Sequence, residues 1–279
     1  MKTAAFVVAV AGALTLSAAA NADVVVSVMD AHKVSIYTQD SAAPAASSTR
    51  HLMYARLFAA DSLDPNAVSM QGSSRTDVMS PIAGVSPGAI WSCATEVFSS
   101  RAELDLAQPN NSDVTYRVST LNAGSLDATV RYGGTNAPST IAHVSNWGDL
   151  QGMNASFAMP VTVNSYTPSQ EGASEQVTTW GVYRRSDGAF MTGNIGGAEL
   201  SNFTIPANIL SAGTDYVLNI TFAVREVEMN GAFFGGRGST FYGSVDHVTE
   251  VPFSTAAIPT PAVAGLLGLA TMNAARRRR

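Results

Sequence analysis

His32, His51, His143 and His247 are the only histidines of the chain, and no two lie close in sequence. That spacing excludes the local HxH and HExxH patterns by which a zinc site announces itself, so no metal is expected. Lys33 is the one lysine beyond Lys2, and it reads as sitting beside a strand start, a poor place for Schiff-base chemistry. Cys93 is alone in "AIWSCATEVF", so no intramolecular disulfide can form; it reads as a small buried hydrophobe. No G-x-S-x-G elbow and no P-loop occur. The stretch "GAFFGGRGSTFYG", 231–243, lacks the Lys-Ser/Thr step and the following helix of a phosphate loop, and reads as a strand connection. Catalysis therefore falls to carboxylates, which glycosidases use as a facing pair. Asp61, Asp64, Glu96, Asp105, Glu171, Glu175, Glu226 and Glu228 have the right type, but nothing in the sequence selects two of them. "DSLDPN", 61–66, reads as an Asx/Pro turn that could offer oxygens to calcium, without EF-hand spacing. Of the aromatics, Trp147 in the turn-like "SNWGDL" and the pair Phe241 and Tyr242, beside Phe233 and Phe234, are the candidates for stacking on a sugar. Trp180 in "TTWGVYRR" reads as core.

The elements that would carry these residues are strands. "YVLNITFAVR" puts Tyr216, Leu218, Ile220, Phe222 and Val224 on one face and Asn219, Thr221 and Arg225 on the other. "VTYRVSTL" and "LDATVRY" alternate in the same way across "NAGS", and so read as a hairpin. "QVTTWGVYRR" and "GAFMTG" flank a second turn at Ser186-Asp187-Gly188. Further strands are expected over 24–29, 34–39, 52–60, 89–98, 156–163 and 240–250, with no long helix outside the two ends. This is the pattern of an all-β protein of one or two antiparallel β-sandwich lobes, 23–135 and 136–257, with "GGTNAPST", 133–140, as the candidate linker. In "ILSAGTDYVLNITF" the steps Leu210, Gly213, Tyr216 resemble the tyrosine corner of immunoglobulin-like and fibronectin type III sandwiches. That resemblance implies a Tyr216 hydroxyl bonded to nearby backbone. "LDLAQPNNSDVTYRVSTL" is a weaker echo, centred on Tyr116.

The chain is 46% hydrophobic but only 13% charged, about half the usual charged share, as suits a β-rich exported protein. It opens with Lys2, an apolar run from Ala4 to Leu16, and Ala20-Asn21-Ala22. Small residues at Ala20 and Ala22 predict removal of 1–22 by signal peptidase, leaving Asp23 as the first residue. The other end reads "IPTPAVAGLLGLATMNAARRRR". Its apolar run, Ala262 to Ala275, is shorter than the roughly 20 residues of a comfortable span, and positive-inside logic keeps Arg276, Arg277, Arg278 and Arg279 on the cytoplasmic side. Pro259-Thr260-Pro261, the apolar run and the arginines together resemble the PEP-CTERM sorting tail of Gram-negative bacteria, with Thr260 where that family usually has Glu. The resemblance covers 258–279 and implies transient membrane insertion, recognition by an exosortase-like enzyme and delivery to the cell surface or medium.

The two ends hold five basic residues, Lys2 and the four arginines, and no acidic one. The stretch between them therefore keeps 11 basic against 21 acidic residues, a net of −10. Nucleic acid is not the partner of such a surface. The sequence as a whole points to an exported structural or adhesive protein with no cofactor. The alternatives are a module for extracellular polysaccharide and, behind it, a carboxylate hydrolase.

Overall fold

A computed structural model describes residues 26–45, 48–59, 63–73, 76–82, 90–94, 97–120, 124–132, 137–166, 175–196, 200–230 and 239–257. In chain order the elements of the first half are β1 (Val26–Thr38), β2 (Ser48–Ala59), β3 (Leu63–Gln71), β4 (Thr76–Val78), β5 (Ser80–Pro81), β6 (Ile90–Ala94), α1 (Arg101–Ala107), β7 (Ser112–Thr120) and β8 (Gly124–Tyr132). The second half holds α2 (Trp147–Leu150), β9 (Met159–Thr162), β10 (Glu175–Arg184), β11 (Phe190–Gly196), β12 (Asn202–Ile205), β13 (Asp215–Asn230) and β14 (Ser239–Ser254).

The fold is all-β. One eight-stranded sheet runs β11-β10-β13-β14-β1-β2-β6-β5, and a four-stranded sheet runs β4-β3-β7-β8. β12 and β9 form a third, two-stranded sheet. Among the described residues every pairing between named strands is antiparallel except that of β1 with β14, which is parallel from Val28 opposite Thr240 to Thr38 opposite Glu250. A parallel pair needs a crossover between its strands; here the rest of the described chain forms it.

Two apolar cores lie on the same face of the large sheet. The first gathers Met29 and Ala31 of β1, Met53, Ala55 and Leu57 of β2 and Trp91 of β6 against Val68, Met70, Val114, Tyr116, Val118 and Val130 of the four-stranded sheet. The second packs Tyr216, Leu218, Ile220 and Phe222 of β13 and Val251 and Phe253 of β14 against Val161, Ile205 and Leu150. Except for Phe241, the first core is drawn from residues up to Tyr132, and the second begins at Ala142. Phe241 of β14 lies in the first core, so the long last strand serves both.

The alternation in β13 is as expected: Tyr216, Leu218, Ile220, Phe222 and Val224 are all buried. Both hairpins form, β7–β8 without a register shift and β10–β11 around Gly188, whose φ of +73° only glycine adopts freely. Three expectations change. The strands over 24–29 and 34–39 are one strand, because Asp30, His32 and Lys33 continue the ladder as buried polar residues instead of breaking it. Leu63 to Asn66 of "DSLDPN" form the start of β3 rather than a turn, with a register shift between Leu63 and Val68. The helix α1 was not expected. Ser100 caps it by accepting from the Glu103 N–H at 3.2 Å, while Glu103 reaches back to the Ser99 N–H at 2.9 Å. The Ser-x-x-Glu spacing at 100–103 is a helix-start signal present in the sequence.

Candidate functional site

The densest polar chemistry lies on the face of the large sheet opposite the two cores, across β2, β1, β14 and β13. Alternation puts Asp30 and His32 of β1 on that face, together with Val34 and Ile36, because Met29 and Ala31 are committed to the core. The register then brings Arg56 of β2 beside Asp30, and Ser244 of β14 beside His32. Asp30, His32, Arg56, Ser244 and Asp246 are all buried.

Arg56 grips Asp30 through Nε, at 3.1 and 2.8 Å from the two carboxylate oxygens, and through a second nitrogen at 2.6 Å. The guanidinium also lies 5.5 Å from the ring centres of Tyr54 and Phe58. His32 Nδ1 is 2.8 Å from Asp246 Oδ2, and its Nε2 is 3.5 Å from Asp30 Oδ2, an ion-pair approach without a hydrogen bond. The Ser244 hydroxyl donates to the other oxygen of Asp246. Burial works against an ionised Asp30, but Arg56 and His32 outweigh it and hold the carboxyl far below its ordinary range. Burial also opposes a charged His32, and Asp246 and Asp30 overcome it, so its pKa rises. For Asp246 burial is outweighed by His32, Ser244 and Arg225, and its pKa falls. The result is an internally neutralised ionic cluster that links three strands.

Its geometry is not that of a nucleophilic triad. A catalytic serine must give its proton to the histidine, with the carboxylate behind. Here Asp246 stands between Ser244 and His32, and the free side of the imidazole faces a second carboxylate.

A second buried charge occupies the core face. Lys33 is fully buried, and its ammonium donates to Asp105 Oδ1 at 2.8 Å and Asn110 Oδ1 at 2.6 Å, above the Tyr132 ring. Arg101 supports the same carboxylate oxygen at 2.9 Å. Burial lowers the Lys33 pKa, and Asp105 opposes the shift. The residue is mid-strand rather than at a strand start, and it ties α1 to the sheet.

The remaining histidines are also engaged. His51 contacts the hydroxyls of Ser35 and Ser48 at 3.0 and 2.8 Å, His143 the Ala42 carbonyl at 3.0 Å, and His247 the Thr140 carbonyl at 3.3 Å. Among the described residues no group of three His, Cys, Asp or Glu side chains could hold a metal ion.

The sugar candidates fare differently from one another. Phe241 is only 2% exposed and meets the edge of Tyr116 inside the first core, so it is not part of a surface patch. Tyr242, its neighbour, falls on the opposite face with Arg225 5.2 Å from its ring centre. Trp147 begins α2 and packs against the second core instead of standing free as a platform. Trp180 is half-buried against the second core and stacks on Phe203 at 4.2 Å. Phe233 and Phe234 lie outside the described residues, as do Asp61, Glu96 and Glu171. The processing positions Ala20, Ala22, Asp23, Pro259, Thr260, Pro261 and Arg276 to Arg279 also lie outside them. Cys93 is half-buried against the first core.

Of the two tyrosines, Tyr216 makes the corner: its hydroxyl accepts from the Ser211 N–H at 2.8 Å. Tyr116 does something else, donating to the Asp30 carbonyl on the facing sheet at 2.6 Å. Tyr132 does the same to the Ser244 carbonyl. Both brace the four-stranded sheet against the strands that carry the ionic cluster, which sequence reasoning missed because its members are far apart in the chain.

No protein-family model and no curated protein matches the chain. Solved structures similar to it include a biofilm associated protein, BSP domain, at 11% identity and a TM-score of 0.22, over 85% of this chain and 30% of that one. The chicken CNTN1 FN1-FN3 domains match at 11% identity and a TM-score of 0.21, over 74% of this chain and 64% of theirs. The chain thus spans less than two thirds of the length of either.

Proposed function

We propose that this is an exported, surface-sorted protein whose β body plays a structural or adhesive part in the cell envelope or extracellular matrix, without catalysis of its own. The observation that carries the reading is the pairing of two processing signals in one sequence: Ala20-Asn21-Ala22 after an apolar run at one end, and Pro259-Thr260-Pro261, an apolar run and Arg276 to Arg279 at the other. Signal peptidase and an exosortase-like enzyme are the partners this implies, with the tail serving as a temporary membrane anchor. The body between them is read as two sandwich units, 23–135 and 136–257, that share one sheet.

The buried polar groups support the same reading. Asp30, Arg56, His32, Asp246 and Lys33, with the half-buried Asp105, pair with one another within the fold, as expected of groups that hold strands together rather than turn over a substrate. The polysaccharide reading loses Phe241 to the core.

The test is the intact mass, with terminal peptide sequencing, of the protein recovered from the envelope and the medium of its host. Loss of 1–22 together with an end near Pro259 to Pro261 is the expected result. A mature chain that keeps Arg276 to Arg279 would overturn sorting and leave a plain anchor.

A further inference from the structure

We infer that the outer edge of β8 is a docking edge for a second copy of this chain, which adds its own β8 antiparallel about a two-fold axis at Thr129. The described sheets have few open edges that could accept a strand. At the ends of the two large sheets, β5 is the two residues Ser80–Pro81 and β4 the three residues Thr76–Val78. β11 has a register shift beside Phe190 and carries glycines at 193 and 196. In the small sheet, β9 and β12 have four residues each. Short strands, proline and irregularity are the ordinary protections of a sheet edge. β8 has none of them: it is nine residues long, without proline, and its ladder with β7 runs unbroken from Ser112–Tyr132 to Thr120–Gly124. Among the described residues, nothing pairs with its other side.

The side chains identify the partner. On the exposed face β8 offers Ser125, Asp127, Thr129 and Arg131. Its two charges are opposite in sign and lie two residues to either side of Thr129. A second β8 laid antiparallel about Thr129 therefore sets Asp127 against Arg131 of the other copy, and Arg131 against its Asp127. The row continues into β7 of each copy. Asp127 is already held by Arg117 at 2.7 Å through two nitrogens, and Arg131 lies 3.8 Å from Asp113. Across the joined sheet the order becomes Asp113, Arg131, then Asp127 and Arg117 of the second copy, with signs alternating throughout. The central row is all threonine, since Thr115 and Thr129 already share a hydrogen bond at 2.8 Å. On the inner face the same axis sets Ala128 against Val130 of the second copy, small against branched. Opposite charges and matched hydroxyls directly across strands are the pairs that stabilise antiparallel ladders, and an isologous contact needs this self-complementarity. Main-chain bonding along an open edge supplies the attraction.

The test uses three variants of the protein recovered from its host, followed by sedimentation velocity over a concentration series. Asp127→Arg and Arg131→Asp each place like charges at both symmetric contacts, so each should weaken self-association by on the order of tenfold to a few hundredfold. Mixed together, the two variants pair Arg with Asp at both contacts, and the dimer should return. Thr129→Lys sets two ammoniums on the axis and should leave a folded monomer, as edge lysines do elsewhere. Wild-type protein that stays monomeric would overturn the proposal. So would single variants that assemble like wild type, or variants that remain apart when mixed.

Discussion

Asp30→Asn removes one charge from the buried cluster and leaves its shape in place. Arg56 then keeps its charge in a site 5% exposed without the carboxylate that grips it, and His32 loses the carboxylate 3.5 Å from its Nε2. Breaking a buried pair by removing one member costs about 3–5 kcal/mol, because the other charge remains desolvated. For a unit of this size each kcal/mol lowers Tm by roughly 2–4 °C, so a fall of about 6–20 °C is expected. The partner experiment replaces both members by apolar side chains, Asp30→Leu with Arg56→Met. Arg56 already rests between the rings of Tyr54 and Phe58, so a methionine has apolar surface to meet. That double variant should recover most of the loss. Urea unfolding read by tryptophan fluorescence suits the question, with Trp91 in the first core and Trp147 and Trp180 beside the second. A cost for Asp30→Asn below about 1 kcal/mol would refute the argument, as would a double variant that loses the sum of both single ones.

Two further outcomes follow from the same geometry. The His32 pKa is raised in the folded protein, so its contribution to stability is complete below the unfolded value of about 6.5 and is lost as pH rises through the folded one. Burial lowers the pKa of His51 and His247, whose effect is the reverse, a loss as pH falls below about 6.5. His32→Gln should therefore abolish the alkaline decline in the urea midpoint and keep the acid one over about pH 5.5 to 9; an unchanged alkaline decline would refute it. Phe241→Ala should cost about 3–5 kcal/mol and loosen the first core, reported by faster amide exchange in β7 and β8, although the residue is remote from them in the chain. Loosening confined to the second core would contradict the shared role of β14.

What the sequence disclosed depended on whether a strand had one buried face or two. β13 and the β7–β8 hairpin were legible because apolar and polar residues alternate cleanly there. β1 reads as two pieces in the sequence because both of its faces are buried, one by apolar packing and one by paired charges, and pairing is not visible in a linear pattern. The ionic cluster was hidden for the same reason: His32 and Asp246 are 214 residues apart, and only the parallel register joins them. Tyr216 and Tyr116 sit in similar local patterns, yet one closes a corner and the other crosses between sheets, a choice made by the facing sheet. Phe241 and Tyr242 could have been separated by reasoning alone, since adjacent residues of a strand point to opposite faces.

The parallel pairing of β1 with β14 also decides how the body would bear a mechanical load. β1 begins at Val26 beside the start of β14, and β14 runs on from Thr240 to Ser254, roughly 45 Å farther along the sheet at about 3.3 Å per residue. Tension applied at Val26 and at Ser254 therefore pulls two neighbouring strands past each other along their length. Eleven register pairs, Val28–Thr240 to Thr38–Glu250, would resist sliding together, with Asp246 held to His32 across the same seam. An antiparallel pair pulled from one end would open one rung at a time, like a zip. A body tethered at both ends would be loaded in shear, the direction in which a strand pair is hardest to separate.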